Sequence, residues 1–389
     1  MSHEIPMDEK GRVLLRNNAN GLGLILTTLA LLAMGAVAVY SALSSPTAPD
    51  RPWWMRTSDR NLIFVSISAM IAMVAWRFDY HWLTWGKRLP WLPTAALALA
   101  IVTSGLVFVS VFGHERHGQV RWLRIGGFGF QPSELMKFAL PIFLAVWLTR
   151  PSVKVQSFLR TFVPAIALVG LCAGLGIKED FSAGMMTALA GGNTLLLAGV
   201  PWYYLLMLLP PAAGATYVAV AHSADKMARI KAWLNPWDLN NDAAYQLRES
   251  LIAILNGGWK GPGLGNGLIK LGFLPERSTD FIFSVICEEM GFIGAMLVVG
   301  LFLLFIWNAR KSALNAADRL GAVLAGSFGA LIAAQAVIHV AVAVGAIPPM
   351  GMALPFVSAG GTGMLVLVAM VAVMVSVTAH RKAATPLAG

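Results

Sequence analysis

Ten apolar runs, each long enough to cross a bilayer, leave this chain few folds to choose from. They lie near 21–44, 59–76, 89–112, 133–149, 158–176, 182–199, 202–221, 281–308, 319–346 and 354–379. A hydrocarbon core of about 30 Å takes about 20 helical residues, and inside it the backbone must satisfy its own hydrogen bonds. The expectation is an all-α polytopic integral membrane protein with about ten transmembrane helices. Only Gly199-Val200-Pro201 divides the sixth run from the seventh. Composition agrees: 57% of the 389 residues are hydrophobic and 12% charged, about half the charged share of a soluble domain. The mostly polar first twenty residues do not read as a cleaved signal.

The net charge of +10 would suit a nucleic acid, but the Lys and Arg residues sit at the ends of apolar runs rather than on one basic stripe. That placement fits lipid headgroups and the positive-inside rule. Lys10, Arg12 and Arg16, then Arg77, Arg150, Arg310, Lys311, Arg319 and Arg381 fall on one face. Both termini are therefore expected in the cytoplasm, with tails at 1–20 and 380–389 flanking a membrane domain at 21–379. The segment 222–280 becomes a large extracytoplasmic loop, long enough to be functional. Within it, Asp242 to Leu255 has helical apolar spacing and reads as a helix along the membrane surface. No repeat of fixed period is visible, and Cys172 and Cys287, both inside apolar runs, read as packing residues.

Two stretches carry chemistry. Leu274 to Gly294 reads LPERSTDFIFSVICEEMGFIG: a polar turn that becomes an apolar helix. Ser278 or Thr279 is placed to cap that helix, with Asp280 in its first turn and Glu288 and Glu289 two turns inside. Taken alone, Asp280 is a helix-cap charge. Carboxylates at membrane depth, however, are expensive and tend to face a polar cavity. The other stretch runs from Arg121-Trp122 through a glycine-rich turn to Gln131-Pro132-Ser133-Glu134-Leu135-Met136-Lys137. Ser133 reads as an N-cap, and Glu134 and Lys137, one turn apart, can pair. On the residues alone this is a staple at a helix end, worth at most about 1 kcal/mol when exposed. A third stretch, Gly257 to Gly267, is dense enough in glycine to bring backbone N–H groups against an anion, with Lys260 adding charge; a plain flexible loop is the alternative.

Thr279-Asp280-Phe281-Ile282-Phe283, the Phe130-Gln131-Pro132-Ser133-Glu134 block with Lys137, Asn235-Pro236 and the Pro348–Gly363 stretch together resemble the SEDS family (shape, elongation, division and sporulation) of FtsW-, RodA- and SpoVE-like membrane glycosyltransferases. The likeness covers most of the chain after residue 120, and the Gly-Phe-Ile-Gly ending at 291–294 leans towards the FtsW branch. It implies a catalytic role for Asp280. It implies that Glu134 and Lys137 line a central cavity beside it, and it adds Arg121 and Arg229 to Lys260 as candidate substrate contacts. Some positions depart from the family pattern: Met350, Ala359 and Thr362, the Lys178–Ser182 stretch, and His339. They bear on substrate preference more than on reaction class.

The resemblance further implies polymerisation of lipid II into β-1,4 glycan strands at the bacterial plasma membrane, in division or cell-shape maintenance, beside a class B penicillin-binding transpeptidase. One carboxylate suffices as general base for the acceptor sugar hydroxyl, and cations suit the departing pyrophosphate. The sequence points to no particular cofactor; a divalent cation such as Mg2+ would help with the pyrophosphate, although no carboxylate cluster shows clear metal spacing. The rival readings are a flippase for the same lipid and a membrane scaffold for the transpeptidase. Charges gathered near one face favour the enzyme, because transport calls for them along the whole depth.

Overall fold

The structure is a computed structural model that describes residues 18–44, 57–84, 91–107, 113–116, 119–125, 128–238, 240–268, 274 and 276–380. Each of the ten apolar runs carries helix among the described residues, although the last begins with a turn at 354–361. The first six become α1 (Ala19–Leu43), α2 (Thr57–Val74), α3 (Trp91–Leu106), α4 (Pro132–Leu148), α5 (Val163–Glu179) and α6 (Phe181–Leu197). The seventh is two short helices end to end, α7 (Trp202–Leu206) and α8 (Leu209–Ala221), neither with a buried residue. Next come α9 (Ala224–Leu234) and α10 (Asp242–Gly257), then the last three long helices, α11 (Ile282–Leu314), α12 (Arg319–Ala343) and α13 (Thr362–Ala379). Among the described residues, seven helical segments are long and apolar enough to cross a membrane. The expected count of ten is reached only by adding α3, α4 and α6, which at 16, 17 and 17 residues are shorter.

The break after α6 is built by Gly199. Its φ of +88° is open to glycine at no steric cost, and the helix closes with Gly199 N–H on Leu196 O and Val200 N–H on Leu195 O. Other starts differ from the expected ones. Pro132 opens α4, so Ser133 sits inside the helix rather than capping it. α11 begins at Ile282 with Phe281 as its N-cap residue, so Ser278, Thr279 and Asp280 belong to the turn in front of the helix. Residues 113–130 also hold a small antiparallel sheet that the sequence reading missed: β1 (Gly113–Arg116), β2 (Gln119–Ile125) and β3 (Phe128–Phe130), in that order, with Leu123 opposite Phe130.

The largest departure from the expected run 281–308 is inside α11. At Gly291 (φ +64°, ψ −162°) the helix breaks, and residues 257–263 fill the gap. Phe292 N–H donates to Gly258 O at 2.8 Å, Ile293 N–H to Trp259 O at 3.3 Å, and Gly263 N–H to Glu289 O at 3.0 Å. These bonds satisfy groups that a broken helix would leave bare in an apolar surround. The approach is backbone on backbone: a Cβ on Gly257 would overlap Cys287 O, and one on Gly291 would stand 2.6 Å from the Lys260 and Gly261 nitrogens. The glycine density of this stretch therefore serves docking. Residues 257–263 are thus a docked segment rather than a free loop.

α10 likewise faces protein along its apolar stripe. Ala244, Leu247 and Ala253 are buried, and Ser250 Oγ lies 2.6 Å from Ser284 Oγ and donates to Ala343 O at 2.8 Å. The helix expected along the membrane surface is packed on α11 and α12 instead. α1 packs one face against α2, α11 and α13 and leaves Leu26, Val37 and Tyr40 exposed on the other. At its start Asn18 Nδ2 donates to Thr378 Oγ1 (2.8 Å), which brings the two ends of the described chain together. At its other end Ser41 Oγ donates to the Glu289 carboxylate (2.7 Å), and Arg277 Nε donates to Ala42 O (2.7 Å). Glu289, 2% exposed, thus has a hydroxyl partner, and Glu288, equally buried, accepts from Leu268 N–H at 2.9 Å. Burial pushes the Arg277 guanidinium down from its ordinary value.

Candidate active site

At the end of the bundle away from the termini a cavity of about 1090 Å³ opens between α2, α4, α6, α9, α12 and the turns before α11 and α13. Asp280, Glu134, Lys137 and Arg229 all line it, although the sequence scatters them over about 150 positions. Lys260 does not; it is exposed beside the break in α11. Arg121 falls on β2, and its side chain lies outside the described residues.

The turn bearing Asp280 is held from both sides. Asp280 N–H donates to Glu276 O at 3.0 Å, and Thr279 Oγ1 donates to the Glu276 carboxylate at 2.8 Å. Across from it, Ser358 Oγ accepts Leu354 N–H (2.7 Å) and donates to Thr279 O (2.6 Å), while Ala359 N–H donates to Ser278 O (2.9 Å). Glu276 and Phe356 both adopt φ near +60°, at 53° and 64°. Non-glycine residues persist there only where their surroundings over-determine them, and such positions cluster at working sites. Phe356 is fixed by burial and by α1, whose Gly35 lets the backbone of Val357 approach. Gly351 faces the aspartate: a Cβ there would stand 3.1 Å from Asp280 Oδ2. His339 and Gln335 of α12 hold this wall by bonding Met352 O (2.7 Å) and Ala353 O (2.9 Å).

Opposite, α4 presents Glu134 and Lys137, with Nζ donating to Oε1 at 2.7 Å. Lys137 is only 5% exposed, so this is no surface staple. Glu134 reaches over Gly363 at the start of α13, where a Cβ would come 3.3 Å from its carboxylate. The mouth is lined by α9: Arg229 Nε pairs with Asp225 Oδ2 at 3.4 Å, and Lys226 Nζ stands 5.2 Å over the Phe181 ring. Sequence reasoning missed Arg60, Asp180, Asp225, Lys226, Glu276 and Gln335 as wall residues. Asp225 and Lys226 had a legible signal, since Ser223 caps a short helix of high charge; Arg60 belongs to the polar Thr57–Asn61 cluster that opens α2, and Gln335 is a lone amide among apolar residues. The departures at Met350, Ala359 and Thr362 all fall on the wall. Among the described residues no three of the cavity's carboxylates gather within ligand distance, so the donor set does not fit a metal held by protein groups alone.

Chemically, this is a half-enclosed polar chamber with one carboxylate on a rigid turn, a buried ion pair facing it and cations at the rim. It can take a proton from a bound hydroxyl and hold an anionic leaving group.

Comparison with known proteins shows the family. A family model described as cell cycle protein, FtsW/RodA/SpoVE, matches residues 22–383. A protein of Trichlorobacter lovleyi described as "probable peptidoglycan glycosyltransferase FtsW" is 35% identical over 373 residues, covering 95% of both chains. One of Burkholderia thailandensis with the same description is 36% identical, covering 88% of this chain and 75% of that one. Among solved structures, a chain described under "structural coordination of polymerization and crosslinking by a peptidoglycan synthase complex" superposes with a TM-score of 0.74 at 23% identity, over 92% of this chain and 97% of that one. The rod shape determining protein RodA of Thermus thermophilus gives 0.65 at 22% identity, over 93% and 97%.

Proposed function

Because the chain belongs to the FtsW/RodA/SpoVE family of cell cycle proteins, a multi-pass membrane family, we propose that it is a peptidoglycan glycosyltransferase that polymerises lipid II. The observation that carries this reading is the convergence of Asp280, the Glu134–Lys137 pair and Arg229 on one chamber. Asp280 is the general base: it takes the proton of the acceptor GlcNAc 4-hydroxyl as that oxygen attacks the donor's anomeric carbon. The bond from that carbon to the pyrophosphate oxygen breaks, and the configuration inverts to a β-1,4 link. Undecaprenyl pyrophosphate leaves with its negative charge countered by Lys137 and Arg229. Glu134 positions Lys137. The departures at Met350, Ala359 and Thr362 tune which peptide stem or sugar the wall accepts.

The chamber opens on the outer face of the plasma membrane, the termini lie in the cytoplasm, and ten spans are counted with the three shorter helices included. A class B penicillin-binding transpeptidase is the partner. The experiment pairs glycan-chain formation with lipid II binding on purified wild type and Asp280→Asn, with and without a transpeptidase. The amide keeps the shape and removes the proton acceptor, so polymerisation should fall about 100- to 10,000-fold while lipid II stays bound. Retained polymerisation removes Asp280 as the base. A wild type that moves lipid II between leaflets and makes no glycan is a flippase.

A further inference from the structure

At the opposite end of the bundle, outside the membrane-spanning segments, Asp79 and His81 follow α2, and His380 follows α13. Asp79 Oδ1 lies 2.8 Å from His81 Nδ1 and 3.7 Å from His380 Nε2. One ligand atom from each of the three residues falls within 4.8 Å of the other two. Donors about 2.0–2.1 Å from one tetrahedral ion stand about 3.4 Å apart, so the set closes on a metal when the Asp79–His81 pair opens slightly from 2.8 Å and His380 moves in from 3.7 Å.

What distinguishes the cluster from an ordinary surface ion pair is the far side of each imidazole. His380 Nδ1 is 2.9 Å from Ser376 O, a pure acceptor, so that nitrogen carries the hydrogen and Nε2 is turned to Asp79. His81 Nε2 lies 3.4 Å from Asp318 Oδ2, which leaves Nδ1 for Asp79. Metal-bound histidines are oriented in this way, with the second ring N–H given to a carboxylate or a backbone carbonyl. Asp318 is itself fixed by Tyr80 Oη (2.9 Å) and by Gly321 N–H (2.7 Å). The turn is pinned to α13, since Ser376 Oγ accepts Tyr80 N–H (3.0 Å) and donates to Phe78 O (2.7 Å). His81 remains 44% exposed at its side chain, which gives an ion a path in.

We propose that Asp79, His81 and His380 form a three-ligand site for a borderline divalent transition ion of the Zn2+ class, completed by water and oriented by Asp318 and the Ser376 carbonyl. Two imidazoles and one carboxylate suit Zn2+, Co2+ or Ni2+ and disfavour Mg2+ and Ca2+, which take oxygen donors. The ion would tie the turn after α2 to the end of α13 and the start of α12.

The test uses the full chain, tag-free in detergent and stripped with a chelator. Zn2+ is titrated by calorimetry, and Co2+ is followed by its visible absorption. Wild type should bind one Zn2+ per chain and show the intense visible bands of four-coordinate Co2+ with nitrogen ligands. His380→Gln and His81→Ala should each weaken Zn2+ binding at least tenfold and remove those bands, while metal-free melting stays near wild type. Asp318→Asn removes the carboxylate that orients His81 but no metal ligand, and keeps an oxygen for Gly321 N–H; it should keep the one-to-one stoichiometry and weaken affinity about 10- to 100-fold. His222→Ala, at the end of α8, should change nothing. Should a variant fail to fold, the wild-type Co2+ spectrum decides by itself. Weak octahedral bands, absence of stoichiometric Zn2+ binding, or full affinity in the His81→Ala/His380→Gln double variant overturns the site.

Discussion

Lys137 and Glu134 show how burial changes the meaning of a pair. Nζ and Oε1 meet at 2.7 Å with the lysine 5% exposed, so the pair lies in the regime where removing one partner strands a charge. Such stranding costs about 3–5 kcal/mol, against at most about 1 for an exposed pair. The sequence reading expected the exposed value. The buried geometry revises Lys137→Met to a loss of about 3 kcal/mol, and Glu134→Gln/Lys137→Met should recover most of it because both charges go together. Glycan synthesis should stay low in both. Thermal melting and polymerisation of the two variants separate the roles: a double variant that regains activity along with stability makes the pair structural only.

At the scale of elements, apolar run length located every long helix, because a backbone in hydrocarbon has little alternative. The break at Gly291 was not legible. A lone glycine in an apolar run costs a helix only about 1 kcal/mol, so nothing local demands that it stop. The demand is tertiary, made by residues 257–263 docking into the gap. The small sheet does carry a sequence signal: Gln119–Ile125 and Phe128–Phe130 flank the Gly126-Gly127 dipeptide, a hairpin pattern. The chemistry was more legible than the geometry. Asp280 stands out in the sequence as a carboxylate at the lip of an apolar run, but its place before rather than inside α11 depends on the Ser358 and Ala359 bonds from about 80 residues on. Two glycines of α11 separate docking from propensity. Gly291→Ala meets backbone atoms at a left-handed φ and should lose at least about 2–3 kcal/mol. Gly300→Ala points into open space and should gain up to about 1 kcal/mol. Melting temperatures moving in opposite directions bear this out; equal shifts remove the docking account.

The whole molecule is polarised end to end. Asn18 and Thr378 bring the described termini together at one end, and the chamber opens at the other. α1 runs between them, from Asn18 to Ser41 on Glu289. If the chamber faces outward, a cysteine at exposed Ala224, beside its mouth, reacts with an impermeant maleimide in intact cells. One at exposed Arg310, near the far end of α11, reacts only after permeabilisation. The reverse pattern inverts the topology.

The interruption of α11 bears on how such a protein lives in membranes of different thickness. The limb from Phe292 to Leu314 alone extends about 35 Å at 1.5 Å per residue, enough to cross without the residues before it. The short limb, Ile282 to Met290, is anchored to α1 through Ser41, and residues 258–263 bond both limbs across the break, through Glu289 on the short one and Phe292 and Ile293 on the long one. Hydrophobic mismatch is absorbed by helix tilt, and here the tilting limb is jointed to the one that follows Asp280. With residues 258–263 bonded to both limbs, a lean of the long limb in a thicker or thinner bilayer is carried through that docked segment towards the turn that bears Asp280.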